Sequence, residues 1–221
     1  MWSKVIKHQF LYISKNYKIN LVNISLGIII ALASVGNLAR ETTQGTFIYE
    51  VFSEYLFCFG LYPMIIFNTL FKFKIRLSDI YATRSRNILL QQMIIQLLET
   101  LISLLVPWLV TIWISCKIKS LRPSIFKIDF LLPFIYLILS CILVMLMTLI
   151  FYWAFFNKII AFLLSFVIVA IMFYCYRSWH NGVLYSFMIA ITDWKVISEI
   201  IGIDILLFAL LEVLVTQREI L

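Results

Sequence analysis

Six stretches of this chain read as long and apolar enough to cross a bilayer, and only short connectors separate them. A crossing helix needs about 20 apolar residues. Such stretches read at about 19–38, 48–70, 88–115, 129–152, 157–176 and 196–215. In hydrocarbon every backbone N–H and C=O must be satisfied by the protein itself, and runs of this length and spacing do that as helices. The expected fold class is therefore an all-α integral membrane protein with six transmembrane helices, residues 1–221 forming one transmembrane domain. Composition agrees. The chain is 63% hydrophobic and 13% charged, whereas a soluble domain is about 45–50% apolar and about 25% charged. The spans consume nearly all of the length, which leaves no room for a soluble catalytic domain.

The connectors carry the next layer of information. In residues 2–18, Trp2, Val5, Ile6, Phe10, Ile13 and Tyr17 share one helical stripe, while Lys4, Lys7, His8, Lys15 and Lys18 fall largely off it. That pattern predicts a basic amphipathic helix lying in the headgroup layer, or else a plain basic flank to the first span. Residues 71–87 are the most basic loop, and their alternation of apolar and charged residues predicts a short helix along the inner membrane face. Pro107 sits inside the overlong third span and predicts a kink or tilt there. Between spans five and six, residues 181–192 hold an apolar run too short to cross. They predict a re-entrant or interfacial helix in the outer leaflet, bracketed by Trp179 and Trp194 at headgroup level.

Lys and Arg set the orientation. With the N-terminus inside, inner segments carry 11 of these cations and outer ones 7. The basic connector Lys117, Lys119, Arg122 and Lys127 runs against that bias, but the early loops dominate, so both termini are expected in the cytoplasm. The net charge of +7 is accounted for by topology and by attraction to anionic lipid. It does not point to nucleic acid, because no basic patch lies on a soluble fold.

Catalytic patterns are missing: there is no HExxH, GxSxG or Walker loop. Cys58, Cys116, Cys141 and Cys175 form no CxxC pair, and His8 and His180 are far apart, so neither a disulfide framework nor a metal site is expected. The informative residues are carboxylates inside spans. Glu99 in the third, and Asp204 and Glu212 in the sixth, are costly in hydrocarbon unless paired or wetted, and mark a polar pathway or an inter-helix contact. In the first span Gly27 and Ala31 form a small-xxx-small pair that permits close helix approach. They suit either a dimer interface or packing within the chain. The dimer reading puts the first and fifth spans at a partner subunit, with Ile30 facing lipid.

Taken in order, these features resemble the permease subunit of an ABC-2 type ABC transporter. In that family an amphipathic N-terminal helix precedes six spans, a basic cytoplasmic loop after the second span docks on the ATPase, and helical hairpins re-enter the outer leaflet between spans five and six. Residues 80–89 are also similar to a family pattern leading into the third span: Thr83, Ser85-Arg86 and Ile88-Leu89 are present, while the proline and the upstream Glu and Gly-Thr are not. The resemblance covers the topology of nearly the whole chain and about ten residues as motif. It implies an ATPase-coupling loop in which Leu77, Ile80 and Tyr81 are anchors and Asp79, Arg84 and Arg86 polar contacts. It also implies a cytoplasmic ATPase subunit carrying the ATP and magnesium, a second permease subunit, a bacterial plasma membrane, and export of a peptide or other antimicrobial amphipathic substrate. This chain would then be a transport subunit and not itself an enzyme. The alternative is a stand-alone immunity protein or small channel that needs no ATPase.

Overall fold

The computed structural model describes residues 17–36, 38–72, 86–121, 123, 125–179 and 183–217. Among these the chain is helical, with no strand. Helix α1 is Tyr17–Val35. The second span is broken into α2 (Gln44–Val51), α3 (Glu54–Leu56), a π-helical turn at Phe57–Leu61 and α4 (Tyr62–Lys72). Then follow α5 (Arg86–Ile118), α6 (Ile128–Phe155), α7 (Lys158–Trp179), a 3₁₀ turn at Ile189–Ile191 and α8 (Trp194–Gln217). Among the described residues five stretches are long and apolar enough to cross a membrane: Tyr17–Val35, Gln44–Lys72, Leu90–Ile118, Ile128–Phe155 and Lys158–Trp179. Helix α8 is 24 residues long but carries Lys195, Glu199, Asp204 and Glu212. The amphipathic segment expected before α1, up to residue 16, and the loop 73–85 lie outside the described residues.

Nearly uniform hydrophobicity cannot tell these helices which side faces inward, so small and polar residues do. In α1 the buried residues are Asn23, Gly27, Ile30, Ala31, Ser34 and Val35, while Leu21, Val22, Ile29 and Leu32 on the other side are exposed. A Cβ on Gly27 would lie 2.5 Å from the Leu104 carbonyl oxygen and 3.4 Å from the Trp108 amide nitrogen. Gly27 and Ala31 thus serve a close approach of α1 to α5 within one chain, not a dimer interface. Ile30 is buried too, at 6% exposure, against the expectation that it faces lipid. Helix α7 follows the same rule: Ala161, Ser165 and Val169 turn inward at a four-residue period, and Ile159, Leu163, Val167 and Ile171 turn outward.

Proline and caps fix the breaks. Pro63 has no N–H for the Phe59 carbonyl, and its ring crowds that carbonyl. The widened turn immediately before it, where the Tyr62 N–H reaches back to the Phe57 carbonyl, absorbs the conflict. Pro107, by contrast, lies inside a single helix element, α5. Helix α6 ends on Phe156 in the left-handed region (φ 50°). Asn157 then opens α7, its Oδ1 accepting from the N–H groups of Ile159 (2.9 Å) and Ile160 (3.3 Å), the usual work of an N-cap. At the far end of α5, Lys119 Nζ donates to the carbonyls of Val35 (2.9 Å) and Gly36 (2.6 Å), tying off α1. A cation is favourable at that helix terminus, which gives one member of the anomalous 117–127 cluster a structural role.

Helix α6 is the axis of the bundle: every residue from Leu143 to Ile150 is buried. Around its first half an aromatic core forms from Phe52, Phe57, Trp108, Phe130, Tyr136 and Phe187, with ring centroids 5.2–6.4 Å apart in neighbouring pairs. The expected helix at 181–192 is instead, over its described part, a run of turns with one 3₁₀ turn. Leu184, Tyr185, Ser186, Phe187 and Ala190 are buried in the protein. Non-helical backbone at such depth needs partners from the protein, and tyrosines supply them. The Tyr62 hydroxyl lies 3.0 Å from both Ser140 Oγ and the Leu184 carbonyl, its single proton shared between them. The Tyr136 hydroxyl donates to the Val183 carbonyl. Trp179 and Trp194, on either side of this connector, are 70% and 64% exposed.

Candidate functional site

The polar residues of the first three apolar stretches are spaced with helical period. Asn20 and Asn23 lie three apart, Thr69 and Lys72 three apart, and Gln96, Glu99, Thr100 and Ser103 at intervals of three, four and seven. Each set therefore occupies one helix face, and the three faces meet. Asn20 Nδ2 donates to Glu99 Oε1 at 2.6 Å. Lys72 Nζ stands 3.6 Å from the same oxygen. Asn23 Nδ2 donates to Ser103 Oγ at 2.9 Å, and Ser103 Oγ in turn donates a hydrogen bond to the Thr100 carbonyl at 3.0 Å. The result is a polar seam linking α1, α4 and α5.

The seam is dry. The Lys72 side chain is 1% exposed and that of Glu99 13%. In such surroundings an unpaired charge is expensive, so each charge depends on the other. Beside the pair, a cavity of about 10 Å³ is lined by Thr69, Lys72, Gln96 and Thr100 with Met93, Leu97 and Leu149. That is on the scale of one water molecule. Thr69 Oγ1 and Gln96 Oε1 are buried without a hydrogen-bond partner among the described residues, so the cavity lining is suited to a small polar guest.

The residues marked from sequence separate here. Glu99 is at the centre of the seam. Asp204 is buried on α8, at 8% exposure, and Glu212 is exposed on the same helix. No hydrogen bond or ion pair among the described residues joins either of them to Glu99. Leu77, Asp79, Ile80, Tyr81 and Arg84 lie outside the described residues, and Arg86 opens α5. Lys72 escaped sequence reasoning, because a lysine at the edge of a basic loop reads as one more topology cation. Asn20, Asn23 and Gln96 escaped as well. Their shared helical period with Thr100 and Ser103 was the available signal.

A second, weaker tie joins α7 to α3, where Arg177 Nη1 stands 3.8 Å from Glu54 Oε2 and its guanidinium 5.3 Å from the Tyr55 ring centre. Half of the arginine is exposed, so this contact contributes little. No family model, curated protein or solved structure matches the chain.

Proposed function

We propose that this chain is the membrane-spanning permease subunit of an ATP-driven ABC-2 type exporter. In this reading α8 is the sixth crossing, both termini face the cytoplasm of a bacterial cell, and a peptide or other amphipathic substrate moves outward. A cytoplasmic ATPase subunit supplies the energy, and a second permease subunit completes the pathway.

The observation that carries the proposal is where the 73–85 loop is rooted. Lys72 is the last residue of α4, directly before that loop, and it pairs with Glu99 on α5, the helix that follows the loop. Asn20 brings α1 into the same junction. A displacement of the loop by an ATPase would therefore reach three helices together through a buried ion pair, not through one flexible linker. The interior of the bundle is filled by Trp108, Phe57, Tyr62 and Tyr136, which supports a pathway between subunits. With Gly27 and Ala31 committed to α5, a partner would meet the outward faces of α1 and α7, where Ile29, Leu32, Leu163 and Val167 are exposed.

Changing Ile80 to Asp, in the coupling loop, tests the proposal. Transport-coupled ATP hydrolysis should be lost while membrane insertion is retained. Unaltered coupling in that variant would remove the loop from the mechanism and favour a stand-alone protein.

A further inference from the structure

Helix α8 packs chiefly along α6, with lesser contacts to α5 and the Ile189–Ile191 turn. Its buried stripe is Ile197, Ile200, Asp204, Leu211 and Val215. Asp204 falls between two apolar clusters: Ile197 and Ile200 belong to the larger one, and Leu211 and Val215 to the one around Met93, Leu149 and Trp153. Both carboxyl oxygens are fully buried, and among the described residues neither has a hydrogen-bond donor. Among the described residues no cation stands within ion-pair distance of it.

The neighbouring elements offer no compensation. Helix α6 carries Tyr136, Cys141 and Tyr152, with Asp129 at its start. Helix α5 brings Glu99, already held by Lys72 and Asn20, with Arg86 and Lys117 at its two ends. The connector brings Tyr185 and Asp193, and α8 itself has Lys195, Glu199 and Glu212 on its exposed surface. A carboxylate lacking both donors and a counter-charge is the costliest state such a site can hold, and the neutral acid is far cheaper.

We propose that Asp204 is a proton-binding site, carrying its proton while α8 is seated on α6. Release would transfer that proton to water, and water reaches the carboxyl only when α8 parts from α6. Proton occupancy and the seating of α8 are then linked, independently of the exporter reading.

Infrared difference spectroscopy tests this on the full-length protein in liposomes at neutral pH, wild type against Asp204→Asn. The variant should lose a protonated-carboxyl C=O stretching band. Loss of the carboxylate bands instead would overturn the proposal. A second measurement needs no variant: dicyclohexylcarbodiimide, which adds to protonated carboxyls in apolar surroundings, should modify the peptide containing Asp204. Labelling of that peptide by a water-soluble carbodiimide alone, or the absence of both the acid band and the adduct, would equally overturn it.

Discussion

Neutralising one member of the Lys72–Glu99 pair should damage the protein more than neutralising both. At 3.6 Å the Coulomb attraction is about 4–5 kcal/mol for an effective dielectric constant of about 20. Much of that is offset by the cost of drying the two charges. Removing one partner is different, because it leaves the other charge buried without compensation, at about 3–5 kcal/mol. Lys72→Met strands Glu99, which among the described residues keeps the Asn20 amide. Glu99→Gln takes the counter-charge from a lysine whose side chain is 1% exposed. The double variant has no charge to strand and should recover most of the loss. Equilibrium unfolding in detergent micelles, run as a double-mutant cycle, reads this directly. The expected outcome is two damaged single variants and a double variant closer to wild type than either. A double variant as unstable as the sum of the singles would show that the two charges do not support one another, and the seam would lose its electrostatic basis.

Three further substitutions probe the packing. Gly27→Ala should destabilise the bundle by about 1–3 kcal/mol through overpacking against the Leu104 carbonyl, whereas Ile29→Leu on the exposed side of α1 should be nearly silent; thermal denaturation of the two variants compares them. Tyr62→Phe should cost about 1 kcal/mol for the lost hydroxyl contact to Leu184 and Ser140, and should raise the labelling rate of a cysteine placed at Leu184. Asn157→Ala removes the cap of α7 and should cost about 0.5–2 kcal/mol, measurable in the same unfolding assay.

The apolar stretches could be located from sequence because the bilayer sets a length and tolerates few charges within it. Five of the expected spans correspond to apolar helices, and α8 coincides in position with the sixth. The inward face of each helix was harder to read. In a soluble helix the apolar stripe marks it, but α1 and α7 carry large apolar residues on every side, and the few small and polar ones, such as Asn23, Gly27, Ala31, Ala161 and Ser165, show which side is in. That ambiguity led Gly27 to be assigned to a partner and Ile30 to lipid. Cations misled for the opposite reason. Lys72 and Lys119 were both counted as topology signals, yet one is a buried ion-pair partner and the other closes the end of α1. One comes from each side, so the inside bias survives their removal. The connector after α7 could not be derived because its shape depends on hydroxyls of Tyr62 and Tyr136, remote in sequence.

The central claim, that this chain is one part of an ATP-driven assembly, is tested most directly by purifying it, tagged, in mild detergent from the cells that make it. The account predicts that an ATP-hydrolysing subunit is retained in stoichiometric amount and is lost when Ile80 is changed to Asp. A chain that purifies without any nucleotide-hydrolysing partner, yet remains functional in its native membrane, would contradict it.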